Sequence, residues 1–155
     1  MREIEFRGKT AKGEWVYGSY YKQEHFYGDE EEVHCIITTK DVLSNDLGLD
    51  YEEVIPETIG QYVGITDKNG KKVYEGDRVK VTYIEKRQYQ GVPYDDEHCL
   101  TEEVFYSEEN ACFMLKVMFD DIPMYRPLHN FESLAKIKEI EVIGTIFDKE
   151  SDNGD

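Results

Sequence analysis

The sequence lacks several features that define common functional classes. Its three cysteines are an odd number and make a poor disulfide framework, so we expect a reducing compartment. No apolar run is long enough to span a membrane, and the opening MREIEF is not the apolar segment of a secretory signal. These absences predict a cytoplasmic protein with no membrane partner.

Basic residues are also scarce, since 18 lysines and arginines face 34 acids and leave a formal charge of −16. Non-specific nucleic-acid binding needs lysine and arginine to neutralise phosphates, so we expect no direct contact with nucleic acid. The bases that remain are concentrated in residues 67–87, whereas acids dominate residues 29–57 and 95–109. One explanation is that the acids lie in solvated loops and the bases lie on the faces of strands. A basic face for a small anion, with acidic loops for a basic partner, is the sharper alternative.

Signatures of catalysis and metal binding are missing as well. There is no G-x-S-x-G or H-E-x-x-H sequence, and GITDKNGKK at residues 64–72 has the wrong spacing for a phosphate loop. The His34-Cys35 and His98-Cys99 pairs are adjacent residues, which point to opposite sides of a strand and converge poorly on a metal. We therefore predict no catalytic residues, no metal site, no cofactor and no enzymatic activity.

Short alternating segments predict a mainly β fold, a small barrel or sandwich with SH3-like character and at most one short helix. Arg78–Ile84 alternates most clearly, and Asn69-Gly70 before it favours a type I′ hairpin turn. The polar segment from Lys86 to Glu103 predicts a long loop, and the segment from Asp120 to Pro127 a second one. The spacing of apolar residues predicts the single helix over residues 131–140. We expect one domain over residues 1–148 and a flexible tail over 149–155.

Aromatic residues cluster in the segment that begins at Trp15 and ends at Tyr27. One hairpin cannot bury them all, so we expect them in the core and at an interface between subunits of a homo-oligomer. A stacking platform for a base, completed by basic residues, is the alternative. The candidate ligand-binding residues are then Trp15, Tyr17, Lys71, Lys72, Tyr74, Arg78 and Lys80.

Four blocks of the sequence form a family pattern: MREIEFRGK, GEWVYG, PETIGQYVGITDKNGKKVYEGDRV and IEVIGTIFD. With these blocks the chain resembles the YopX-like family of phage and prophage proteins. The resemblance implies a β-rich fold, an origin in a phage or prophage, action inside the host bacterial cell, and no established catalytic residues. Acidic stretches near residues 29–53 and 86–110 fall between the blocks and resemble variable insertions.

Together these observations favour a non-enzymatic accessory protein that modulates a host process, including antiviral defence, by binding a host protein. The expected partner-facing acidic surface, which imitates the charge of DNA, comprises Asp29, Glu30, Glu31, Glu32, Asp95, Asp96 and Glu97. One alternative is a small-ligand binder that sequesters an anionic nucleotide signal. The last is a nucleic-acid-processing enzyme.

Overall fold

The structure, a computed structural model, describes residues 1–23, 32–38, 50–128 and 135–148. The chain divides into two compact units, Met1–Gly64 and Ile65–Asp155. The described ranges contain eleven β-strands, one 3-10 turn at Pro56–Thr58 and no α-helix, which confirms the predicted mainly β class. The strands form two open antiparallel sheets rather than a closed barrel. No helix that could cross a membrane occurs in this part of the chain.

Five strands begin in the first unit: β1 (Phe6–Lys9), β2 (Trp15–Gln23), β3 (Val33–Ile37), β4 (Tyr51–Glu53) and β5 (Gly60–Thr66), the last of which runs into the second unit. In the order β4-β3-β2-β1-β5 they are part of a six-stranded antiparallel sheet whose last strand is β6 (Lys72–Tyr74). The core of this sheet includes Cys35 and Ile36. Gly8 lies so close to Val54 that an added Cβ would meet its side chain at 2.8 Å, so this position requires glycine.

The second unit contains an antiparallel sheet in the order β10-β9-β8-β7-β11, preceded by the short strand β6. The elements are β6 (Lys72–Tyr74), β7 (Asp77–Tyr89), β8 (Val92–Ser107), β9 (Cys112–Phe119), β10 (Ile122–Pro127) and β11 (Ala135–Thr145). Alternate residues of the central strands, including Val79, Val81 and Leu115, are fully buried. Each contributes roughly 1.5–3 kcal/mol relative to exposure, so this face of the sheet forms the core.

Three predictions about the second unit were wrong. The expected loop from Lys86 to Glu103 is the end of β7 and most of β8, paired in register from Arg78↔Glu103 to Tyr89↔Val92. The expected loop at residues 120–127 contains β10, and residues 135–140 of the expected helix belong to β11. Pairing with a neighbouring strand makes all three segments β-strands. The sequence pattern does not show this, because polar residues on an exposed strand obscure its alternation. Residues 131–134 and the tail at 149–155 lie outside the described residues.

The hairpin turns also differ from the prediction. Gln90 and Gly91 both have positive φ, +49° and +82°, which is the pattern of a two-residue type I′ turn between β7 and β8. At Asn69-Gly70 only the glycine has a positive φ, of +79°. The Asp67 N–H donates a hydrogen bond to the Lys71 carbonyl, which leaves three residues between them. The predicted hairpin is therefore present, but with a three-residue loop instead of a type I′ turn.

Candidate functional site

The DKNGK turn is held by the side chain of Asp67. Its Oδ1 accepts hydrogen bonds from the backbone N–H groups of Asn69 at 2.8 Å and Lys71 at 2.9 Å. Its Oδ2 accepts the N–H of Val142 in β11 at 3.0 Å. Burial raises the pKa of the Asp67 carboxyl, but these three donors outweigh burial and hold that pKa below its ordinary value. Asp67 therefore ties the turn to β11, a structural role.

The YEGD turn that follows is equally bound into the fold. Asp77 Oδ2 accepts the N–H of Tyr74 at 2.8 Å, and the Gly76 N–H donates to the Val104 carbonyl, also at 2.8 Å. The Gly76 carbonyl in turn accepts the N–H of Ile146. Tyr74 is buried, so its ring packs in the core and is not presented to a ligand.

The basic candidates of the second unit alternate with acids. Lys71 is exposed and Lys72 is half-buried. In β7, Arg78 is paired in register with Glu103, and Lys80 stands beside Thr101 on one side and Glu141 on the other. These four residues thus do not form a purely basic face, and their role in binding an anion stays a prediction.

Trp15 and Tyr17 lie on β2 in the first unit. The Arg7 guanidinium lies 4.5 Å from the centre of the Trp15 ring, and the Lys9 ammonium 5.3 Å from it. Cations at these distances are attracted by the face of the indole, so the ring already has partners from β1. Tyr17 is 46% exposed.

The acidic candidates are divided between ion pairs and both sides of β8. Asp96 lies 3.1 Å from Arg87, and Glu97 lies 2.6 Å from Lys138. Asp95 is exposed, on the opposite side of the strand from Asp96. Glu32 is ion-paired with Lys22 at 2.6 Å. The other three predicted acids, Asp29, Glu30 and Glu31, lie outside the described residues.

Two further features bear on small ligands. No three His, Cys, Asp or Glu side chains of the described residues lie close enough together to hold a metal ion. A groove of about 400 Å³ in the second unit is lined by Ile65–Lys68, Leu128 and Ile137–Ile140. Its two lysines are engaged, because Lys68 lies 2.5 Å from Glu141 and Lys138 is paired with Glu97.

A group of titratable side chains occupies the core face of the second sheet. We call it the Glu102 cluster, and its members are Tyr83, His98, Glu102 and Arg126. The Tyr83 hydroxyl donates to Glu102 Oε1 at 2.7 Å, and the rings of Tyr83 and His98 stack with their centres 5.5 Å apart. The Arg126 guanidinium lies 4.4 Å above the Tyr83 ring and 3.8 Å from Glu102 Oε1. The cluster thus places a cation over a buried phenol and a buried carboxyl.

The environment shifts two groups of the Glu102 cluster in the same direction. Burial raises the pKa of Glu102, and the Tyr83 hydrogen bond and the Arg126 charge only partly oppose it. Burial and the neighbouring Glu102 also raise the pKa of Tyr83, so its hydroxyl stays a donor. Within the described residues, Glu102 Oε2 is buried and has no hydrogen-bond partner. Such an acid has a greater tendency to hold its proton than an exposed one.

Beyond its buried centre, the core face carries a set of exposed apolar side chains. We call this the outer sheet face, and its members are Tyr89, Val92, Tyr94, Phe119, Ile122 and Met124. The register puts the first three on the side of Tyr83 and His98, and the last three on the side of Val117 and Leu115. All six are between 44% and 69% exposed. In the described residues no third strand flanks the end of the β7–β8 hairpin from Lys86↔Asp95 to Tyr89↔Val92.

Sequence reasoning missed the Glu102 cluster and the outer sheet face. The Glu102-Glu103 pair was interpreted as part of a polar loop, although Leu100, Glu102 and Val104 alternate with polar residues. That alternation was the available signal, since it puts Glu102 on the apolar side and Glu103 on the other. For Arg126 and Met124 the two flanking prolines suggested a loop, and no sequence signal indicated an exposed strand.

Comparison with known protein families identifies a relationship that the four sequence blocks already indicate. The chain matches the YopX protein family over residues 5–151. A search of curated proteins found none that matches. The match covers nearly the whole chain. It includes three of the four sequence blocks in full, with the two turns held by Asp67 and Asp77, and the first block from Glu5 onward. The chain therefore belongs to the YopX protein family.

Proposed function

We propose that this protein is a non-enzymatic binding module that holds a protein of the bacterial host through its outer sheet face. The observation that carries the proposal is the continuation of the core face as six exposed apolar side chains. Several exposed apolar side chains on one side of a sheet are unusual in a protein with a formal charge of −16, because their contact with water is unfavourable. A partner that covers this surface removes that cost.

The composition of the outer sheet face suits a protein partner. Tyrosine, phenylalanine and methionine are enriched at the centres of protein interfaces, and charged residues are depleted there. Tyr89 and Tyr94 lie near the end of the β7–β8 hairpin, where a two-stranded ribbon is only marginally stable in water by itself. Contact with a partner would stabilise this hairpin.

The acidic residues have a secondary part in this proposal. Exposed acids such as Asp95 steer a basic partner toward the protein and raise the association rate, whereas apolar contacts slow its release. We therefore propose that the protein is an accessory factor of a phage or prophage that modulates a host process, as the family resemblance implies. Antiviral defence is the process we propose.

Two methionines allow a matched test. Met124 is 51% exposed on the outer sheet face, and Met118 is 53% exposed on the opposite face of the neighbouring strand. The partner is captured by cross-linking in host lysate and its affinity for purified variants is then measured. We expect Met124→Asp to weaken binding at least about tenfold, while Met118→Asp changes it little.

Other results separate the alternatives. If Met124→Asp and Met118→Asp bind the partner with equal affinity, the outer sheet face is not the binding surface. Loss of binding in Asp95→Asn, together with strong salt sensitivity and an unaffected Met124→Asp, would instead identify the acids as the partner surface. Turnover of any substrate by the purified chain would contradict the non-enzymatic part of the proposal.

A further inference from the structure

Arg126 differs from the other cations whose ion pairs are described for the second sheet. Lys116, Lys138 and Arg87 are each paired with acids whose side chains are between 31% and 49% exposed. The nearest acid to Arg126 is Glu102, whose side chain is 0% exposed, at 3.8 Å. That separation exceeds hydrogen-bond length, so the planar fork of this guanidinium does not donate a hydrogen bond to the carboxyl beside it.

The side chain of Arg126 is nevertheless held in place. Its guanidinium lies 4.4 Å from the centre of the Tyr83 ring, and Tyr83 is itself fixed by its hydrogen bond to Glu102. A guanidinium stacked on an aromatic ring is preorganised, so little conformational entropy is lost when its planar fork binds an anion. The side chain is 28% exposed, so it is partly accessible to solvent.

We propose that Arg126 is an anion-recognition residue that binds a single carboxylate group, whose apolar carrier rests on Met124 and Ile122. The proposal rests on the proposed function of the outer sheet face and names the polar group that a partner must present there. An acidic side chain and a chain-terminal carboxylate both offer this chemistry. A carboxylate accepts two parallel hydrogen bonds from a guanidinium, which gives the contact its direction.

Charge limits the anion to a small one. The other charged side chains on this side of the β7–β8 hairpin, Glu85, Arg87 and Asp96, already pair with one another. Of the two arginines described on this side, Arg126 is the one whose paired acid lies beyond hydrogen-bonding distance, and the chain carries a net −16. A polyphosphate would meet strong repulsion, whereas a monoanion needs only one guanidinium.

The buried acid beneath Arg126 permits this binding. Because burial raises the pKa of Glu102, its carboxyl has less tendency to carry the negative charge that would neutralise the guanidinium. The Tyr83 hydroxyl remains protonated for the same reason. The negative charge of Glu102 therefore neutralises the Arg126 guanidinium only in part, and the guanidinium can still attract an external carboxylate.

The test uses the full chain and small probes, so it requires no partner. The Arg126 Nε–H resonance of labelled protein is followed by NMR during titration with benzoate, neutral benzamide and phenyl phosphate. We expect a saturable shift with benzoate and none with benzamide. In Arg126→Gln the affinity should fall at least about tenfold, the loss expected for a charge-assisted hydrogen bond.

Lys116→Gln is the matched control, because it removes one positive charge from the opposite face of the adjacent strand. It should retain benzoate binding, and Arg126→Lys, which keeps the charge but loses the planar fork, should weaken it. No shift with benzoate in the natural chain overturns the proposal. If Met124→Asp still loses the protein partner, the proposed function survives that failure. Stronger binding of phenyl phosphate than of benzoate would overturn the choice of a carboxylate.

Discussion

The two turns around Asp67 and Asp77 and the outer sheet face belong to the same unit but use their side chains in opposite ways. In the turns, both aspartates accept backbone N–H groups and are buried in the fold. On the outer sheet face, apolar side chains such as Ile122 and Tyr89 are exposed to water. The polar side chains of the turns hold the backbone of the fold, whereas the apolar side chains of the outer sheet face remain in contact with water.

This difference shows what the family pattern encodes. The block DKNGKKVYEGDRV has the residue types of a ligand-binding loop, with acids, lysines and glycines in close succession. In the structure its aspartates accept hydrogen bonds from backbone N–H groups, and Gly76 allows a close approach between strands. The most recognisable part of the sequence thus maintains the fold. The surface that we propose for binding lies on strands without a recognisable sequence motif.

Of the substitutions in the two turns, Gly76→Ala should lower the free energy of unfolding the most. The φ of Gly76 is +82°, and an added Cβ would meet the Phe147 ring at 2.9 Å. Strain in the left-handed region and overpacking together should lower the free energy of unfolding by roughly 2–5 kcal/mol, measured by urea denaturation. Gly70→Ala is the control, because its φ is +79° but no atom lies within 4 Å of the added Cβ. Equal losses in both variants would mean that the Phe147 contact is unimportant.

Asp67→Ala should have the next largest effect. It leaves the N–H groups of Asn69, Lys71 and Val142 without their acceptor, which should cost roughly 1–3 kcal/mol of unfolding free energy. Asp95→Ala, at an exposed site, should change the free energy by less than about 0.5 kcal/mol. A loss in Asp67→Ala no greater than in this control would refute the structural role.

The pH dependence of Asp67 has a definite sign. Because its pKa is lowered in the folded state, its charged form stabilises the protein above the unfolded value of about 3.9. That stability is lost as pH falls through the lower, folded pKa. The advantage of the natural chain over Asp67→Asn should therefore be constant near neutral pH and shrink in acid.

Glu102→Gln should have the smallest effect at low pH and the opposite pH trend. The raised pKa of Glu102 means that its contribution to stability is present below the unfolded pKa and is lost as pH rises through the folded pKa. Relative to this variant, the natural chain should become less stable from pH 4 to pH 8. Glu103→Gln measures the general effect of removing one carboxylate from the same strand. A trend of the reverse sign would show that Arg126 compensates Glu102 fully.

Strand identity in this chain was predictable where alternation is clean, and strand length was not. The alternation of Arg78–Ile84 predicted β7, but the strand continues to Tyr89 because β8 pairs with it there. Likewise the sequence predicted a turn at Asn69-Gly70, but its geometry depends on Asp67, whose carboxylate also binds Val142, 75 residues away. The alternation of apolar and polar residues over a few positions does not indicate contacts between residues so far apart in the chain.

The candidate site was less predictable than the fold. Lys80, Arg78 and Tyr74 were selected for their chemistry, but the register puts the two bases among acids and Tyr74 in the core. Glu102 and Arg126 are ordinary residues in a run of charges and between prolines. What makes them a cluster is Tyr83 on a third strand, which meets both.

By itself the sequence determined the β class, the position of most strands and the family, because alternation and turn residues act over a few positions. It also determined the net charge of −16. Only the tertiary structure decided which acids are buried, which cation lacks a close partner and which apolar residues face water. The physical reason is that burial and pairing depend on strand register, which brings residues together across sheets irrespective of their distance along the chain.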